Sequence, residues 1–400
     1  MAEAALKPQR GIGLFPSIAL AASLLLGACS SIIPRGAPET NRPPPQPTRP
    51  SETGQPTVQP GIPQDEQRHR VALLVPMSGR NAGVGQSIAN ATQMALLDTK
   101  SEKVRITTYD TATGAEAAAR QAIQDGNGLI LGPLLSENVS AIKSIAAAAR
   151  VPVLSFSNDT SVAGNGAFVM GYTPAQSIDR VVAYAAQNGM SQFAALVPRG
   201  LYGERASDAL LRAVRKQKGD VVSIQTYDRS RSSIDAAVKR IPATSPYQAI
   251  LIADSAGTAA VAIPSIRATT GADAQVMGTE LWNTDSAVAD NRVLNGAWFA
   301  SVPDGLYRQY ADKYRARFGK APYRLSTIGY DMVLLTVRIA RDWKVGQPFP
   351  MKDLMSDDGF AGLDGAFRFD NNGVAQRMLE VQAIRDGQTV TISPAPKNFQ

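Results

Sequence analysis

One residue pattern in the chain has the types and spacing for catalysis. Ser140 and Lys143 in "ILGPLLSENVSAIK" form a Ser-x-x-Lys pair, the nucleophile arrangement of penicillin-reactive acyl-transfer enzymes. That chemistry also requires Lys-Thr-Gly and Ser-Asp-Asn tripeptides, and neither occurs in the sequence. Only one His (His69) and one Cys (Cys29) are present, so Ser-His-Asp catalysis and transition-metal sites lack their parts. "GVGQSI" (Gly83 to Ile88) imitates a dinucleotide fingerprint but lacks the third glycine. "FDNNGVAQ" has calcium-type oxygens without the EF-hand spacing and reads as a turn with Gly373 at positive φ. The expectation is a non-enzymatic protein with no cofactor and no metal.

The elements that must position these residues alternate regularly. Short β-branched runs ("VALLV", "VRITTYD", "GLILG", "VPVLSF") are separated by helical patterns, among them Ala115–Gln124 and Glu137–Arg150. A second series follows with the same layout, from a helix over Ala175–Asn188 to the strand "AQVMG". Strands alternating with helices imply an α/β fold with parallel sheets covered on both faces. A body of roughly 330 residues exceeds one core, so two lobes are expected. In the opening stretch, Ser136 and Glu137 then begin a helix. Val139, Ile142 and Ile145 form its buried face, and Ser140 and Lys143 lie on its outer face. "YRQYADKYRARFGKAPYR" reads as a solvated helix packed by Tyr310, Tyr314 and Phe318.

The N-terminus has a different character. Lys7 and Arg10 precede an apolar run, Gly11 to Ala28, which reads as an export signal. Leu26-Gly27-Ala28-Cys29 resembles the bacterial lipobox, which implies lipidation of Cys29 and anchoring in a membrane. Ser30 after the cysteine favours the outer membrane over the inner. Residues 30–68 hold 10 of the 26 prolines and almost no large apolar residues, the composition of an extended, disordered tether. At full extension it reaches on the order of 100 Å. The formal net charge of +7 is diffuse and carries no argument for nucleic acid.

"RVALLVPMSGRNAGVGQSIANATQMALLD", "LILGPLLSENV", "VPVLSFSND" and "LVPRGLYGERASDALLRAV" resemble the type I periplasmic-binding fold of leucine/isoleucine/valine receptors. Within that group the chain is most similar to penicillin-binding-protein activator lipoproteins, through "GPLL" with "ENV" and through "LVPRGLYGERAS" after "TPAQSIDRVV". The resemblance implies a signal peptide over 1–28, a lipidated Cys and Pro-rich tether over 29–68, lobe one over 69–172 plus 301–358, and lobe two over 173–300 plus 359–400. It implies three chain crossovers, near Met170–Thr173, Ala300–Pro303 and Gly362–Gly365, and a cleft at the carboxyl ends of the strands. The loops at that cleft supply the implied ligand contacts, Ser136, Ser155, Ser157 and Asn158 from lobe one and Tyr202, Asp254, Glu280 and Trp282 from lobe two. In receptors of this fold, hydroxyls and amides of lobe one hold the ligand carboxylate and a lobe-two acid holds its ammonium, a strong charge-assisted bond in a dry cleft. "MGTELW" resembles the segment with that acid, which makes Glu280 the leading candidate. Leu134 and Leu135 depart from the receptor pattern, where small hydroxyl residues are frequent. The implied function is an envelope lipoprotein facing the periplasm that binds and stimulates a peptidoglycan synthase (a bifunctional penicillin-binding protein). The alternative is an amino-acid or small-ligand receptor of an ABC importer. Activators of the better-known type also carry a helical-repeat domain ahead of this lobe pair, where this sequence has the tether.

Overall fold

The computed structural model describes residues 67–400 apart from 285–287, 398 and 400. The expected signal peptide, Cys29 and nearly all of the tether lie outside the described residues.

The first series of elements is β1 (His69–Val75), α1 (Ala82–Thr99), β2 (Val104–Asp110), α2 (Ala115–Gln124), β3 (Leu129–Leu131), α3 (Ser136–Ala148), β4 (Val153–Ser155) and β5 (Ala167–Val169). All five strands pair in parallel, in the order β2-β1-β3-β4-β5. Val71–Val75 of β1 is an unbroken apolar run because both of its faces are covered. Val71, Leu73 and Val75 pack with Ile88 of α1, while Ala72 and Leu74 pack with Ala119, Val139 and Ile142 of α2 and α3.

The second series repeats this plan. It runs α4 (Pro174–Gln187), β6 (Gln192–Pro198), α5 (Leu201–Lys216), β7 (Asp220–Tyr227), α6 (Arg231–Lys239), β8 (Ala249–Ile252), α7 (Ala256–Arg267), β9 (Gln275–Gly278) and β10 (Trp298–Ser301). The order β7-β6-β8-β9-β10 has the same pattern as the first sheet. Phe193, Ala195 and Val197 of β6 face α4 and α5; Ala194 and Leu196 face α6 and α7. The chain then returns to the first core through α8 (Gly305–Phe318) and α9 (Ser326–Ile339), whose Ile328, Met332 and Val333 pack beside β1. Tyr310 and Tyr314 of α8 are buried against Ala91 and Met94 of α1, with Phe318 beside them, as the aromatic spacing predicts.

After a single turn of helix, α10 (Met351–Leu354), come β11 (Phe360–Gly362), β12 (Gly365–Phe369) and β13 (Ala375–Arg377), a small antiparallel sheet. The sequence expectation gave residues 359–400 to lobe two, but Phe360, Phe367, Phe369 and Ala375 belong to the first core. A parallel bridge from Val374 to Val169 of β5 joins the small sheet to the edge of the first sheet. Only β14 (Glu380–Arg385) and β15 (Gln388–Ser393) enter the second sheet, antiparallel to β10 and to each other. The third crossing therefore lies at Met378–Leu379. Gly362–Gly365 is a turn inside the small sheet. The turn after β12 is as expected: Gly373 has φ +79°, and the Asp370 carboxylate accepts the backbone N–H of Asn372 and of Val374.

The "GVG" of the false fingerprint has a packing role. Gly85 lies inside α1, where a Cβ would overlap the carbonyl oxygen of Pro76 at the end of β1. Gly203 of α5 stands in the same relation to Pro198 at the end of β6. Each helix can leave its strand at that angle only with hydrogen at this position. Gly203→Ala is expected to cost about 1–3 kcal/mol, read as a lowered denaturant midpoint with an unchanged slope.

Candidate functional site

The order of each sheet reverses about its first strand, which places a crevice at the strands' carboxyl ends. A cavity of about 430 Å³ lies there, lined from the first lobe by Leu134, Ser136, Ser157 and Asn158 and from the second by Glu280 and Leu281. Phe156, Tyr172, Val84 and Leu325 add an apolar wall. Ser136, Ser157, Asn158 and Glu280 are thus brought to one cavity. Its hydroxyl groups are few and partly used, since the Ser157 hydroxyl accepts the Asp159 N–H.

Glu280 begins a 3-10 turn, Glu280–Thr284, directly after β9. One of its carboxylate oxygens accepts the Ser177 hydroxyl at 2.6 Å, and the other accepts the Tyr202 hydroxyl at 3.0 Å. Burial pushes its pKa up, although the hydroxyl bonds act against the shift. The acid is therefore satisfied by its own lobe and driven toward the neutral form, the reverse of what capture of an ammonium needs. For an acid whose pKa rises on folding, the stability it contributes is complete below its ordinary range. That contribution is lost as the pH climbs through the folded-state value. Glu280→Gln does not titrate, so its melting temperature is expected to rise relative to the native protein as pH increases from 4 to 8, a trend followed by scanning fluorimetry.

The other candidates lie elsewhere. Tyr202 stands behind Glu280 and also meets the Thr279 hydroxyl at 2.9 Å. Ser155 is fully buried; its hydroxyl donates to the Pro133 carbonyl and accepts the Ser157 N–H, so it shapes the loop after β4. The Asp254 carboxylate accepts the Tyr227 hydroxyl, Arg229 Nε and the Ser255 N–H inside the second lobe. Trp282 is fully buried, packs against Phe299 and donates its indole N–H to the Asp254 carbonyl at 3.0 Å. Neither Asp254 nor Trp282 lines the cavity. The Ser140 hydroxyl donates to the Ser136 carbonyl, and Lys143 donates to the carbonyls of Val162 and Ala163. The two side chains are pinned to different partners, with no nucleophile–base contact between them.

Sequence reasoning missed a buried charged network beneath the cleft. Arg324, just ahead of α9, donates to the Asp364 carboxylate at 2.6 Å. Asp364 also accepts the hydroxyls of Thr327 and Tyr172. Arg377 lies across the Tyr172 ring, 5.3 Å from its centroid, and reaches Asp331 at 3.8 Å. Asp331 accepts the Leu363 N–H at 2.6 Å. Burial, reinforced by Asp364, pushes the Asp331 carboxyl up to about 8. Burial acts on Asp364 in the same sense, but Arg324 and Arg377 outweigh it and hold its carboxyl below the usual range.

Residues 69–388 match the family model described as periplasmic binding protein. A curated relative, penicillin-binding protein activator LpoA of Mannheimia succiniciproducens, is 25% identical over 351 residues, covering 82% of this chain and 56% of the relative. The chain spans about half the length of the curated relatives it matches. The solved structure of a putative branched-chain amino acid ABC transporter from Rhodospirillum rubrum superposes with a TM-score of 0.72 at 21% identity, covering 81% of this chain and 100% of the other. The LpoA C-domain from Haemophilus influenzae, described as a regulator of PBP1A, superposes with a TM-score of 0.65 at 20% identity, covering 81% and 99%. At these identities the two structures speak to the fold, which is that of type I periplasmic binding proteins.

Proposed function

We start from a chain that belongs to the periplasmic binding protein family and propose that it acts as an envelope regulator of peptidoglycan synthesis. In this reading it binds a bifunctional penicillin-binding protein and shifts it toward its active state, without catalysing a reaction itself. Lipid on Cys29 and the proline-rich segment would hold the two-lobed body in the periplasm, reaching inward from the outer membrane toward its partner. One observation carries the preference over transport: the acid best placed to capture an amino acid, Glu280, is already bonded by Ser177 and Tyr202 and pushed toward neutrality. Leu134, Leu281 and Leu325 at the cavity are a further obstacle to a zwitterion, because they offer no polar partner to its charges. The relative that bears the activator name supports the same reading. The receptor alternative draws on Ser136, Ser157, Asn158 and Glu280 sharing one cavity.

The deciding experiment adds the mature protein to a purified bifunctional synthase and follows glycan polymerisation and crosslinking. Faster synthesis together with co-purification of the two proteins is the expected outcome. Unchanged synthesis with no complex would remove the activator reading.

A further inference from the structure

Below the cleft floor, Arg324 and Arg377 line a small void that lies among the three crossings between the lobes. Tyr172 and Thr173 bound it from the first crossing, Ser301 and Val302 from the second, and Leu379 from the third. We propose that this void is a binding site for one small monovalent anion of halide size, held by the guanidinium groups of Arg324 and Arg377.

The donors come first. Both arginines are more than nine-tenths buried. Nε and Nη2 of Arg324, and Nε and Nη1 of Arg377, meet no hydrogen-bond acceptor among the described residues. Aromatic rings lie near both guanidinium groups: Tyr307 is 4.2 Å from Arg324, and Phe367 is 5.2 Å from Arg377. Rings over the faces do not satisfy N–H groups, which point outward in the guanidinium plane. Such donors are costly when buried without acceptors. A water molecule offers two lone pairs and no charge, whereas a halide accepts from several donors at once.

The charge balance agrees. Asp364 is ionised and pairs with Arg324. Burial and the Asp364 charge raise the pKa of Asp331, the carboxyl nearest Arg377, to about 8 and weaken it as a counter-ion. The buried Oδ1 of Asp304 faces Arg324 Nη2 at 3.7 Å, an ion pair too long for a hydrogen bond. Glu280 also borders the void, but burial drives it toward neutrality and its oxygens are engaged by Ser177 and Tyr202. Glu380, near Asp304, is likewise pushed up by burial. Arg377 donates to the Met170 carbonyl but comes no nearer than 3.8 Å to the Asp331 carboxyl, so it is a buried cation short of close acceptors, a costly state that one anion relieves. The void is small, about 10 Å³, which suits one monatomic occupant better than a polyatomic anion such as sulfate or phosphate. Because its walls come from all three crossings, a bound anion would brace the two lobes against each other. This holds whichever partner or ligand the protein serves.

The test uses the native chain. Crystals soaked in sodium bromide are expected to show an anomalous peak between the two guanidinium groups. At constant ionic strength, replacing gluconate with chloride is expected to raise the melting temperature saturably, by about 2 °C or more. Arg377→Gln, if it folds, should lose that chloride response. An anomalous map featureless at this position, or melting curves identical in gluconate and chloride, would overturn the assignment.

Discussion

Asp364→Asn is expected to lower the stability of the protein by about 3–5 kcal/mol, measured from denaturant or thermal unfolding. The carboxylate is fully buried and accepts bonds from Arg324, Thr327 and Tyr172. Asparagine keeps the shape but removes the charge, which leaves the Arg324 guanidinium buried without its counter-ion. Its neighbour Asp331 should behave oppositely. Burial and Asp364 raise its carboxyl from 3.8 to about 8, so its stabilising contribution is complete below about pH 4 and disappears as the pH rises through about 8. Asp364, with a depressed value, contributes above the ordinary carboxylate range and loses that contribution as the pH falls. Asp331→Asn should therefore be far milder than Asp364→Asn at neutral pH. It should also flatten the loss of stability between pH 5 and 8. Two carboxylates in one network, changed in the same way, separate by sign.

Trp282→Ala is the second large effect, a loss of about 3–5 kcal/mol. The indole is fully buried within the second core, and the backbone at Gly278 leaves no room for a Cβ beside it. Truncation opens a cavity and leaves the Asp254 carbonyl without its indole donor. A cleft ligand contact would give a different signature, with binding lost and stability little changed. The urea midpoint of the variant distinguishes the two roles: it should fall well below that of the native protein with an unchanged slope.

Much of the architecture is written in local pattern. The unbroken apolar run Val71–Val75 requires a strand covered on both faces, and its repetition at Phe193–Val197 announces the second sheet. Helix boundaries are less legible. α1 begins at Ala82 and runs through Gly83 and Gly85, which read locally as a loop, because Gly85 serves close approach to Pro76 and does not break the helix. The period-2 spacing of Phe367 and Phe369 marks a buried strand face, but nothing local tells which lobe buries it, and the expectation chose the wrong one. The site is harder still. Glu280 was singled out from sequence, yet its fate depends on Ser177 and Tyr202, both far away in the chain. Asp254 and Trp282 end up in the second lobe's interior because the turns after β8 and β9 fold back onto their own lobe. The arginine–aspartate network joins Tyr172, Arg324, Asp364 and Arg377, which share no motif and meet only where the crossovers converge.

The central claim is that the interlobe cavity answers its own acid and does not await an amino acid. Calorimetric titration of the mature protein with the free amino acids tests this most directly. No binding heat for any of them is the expected result. Tight binding of one amino acid, abolished by Glu280→Ala in a protein that still folds, would contradict the claim and make the chain a receptor.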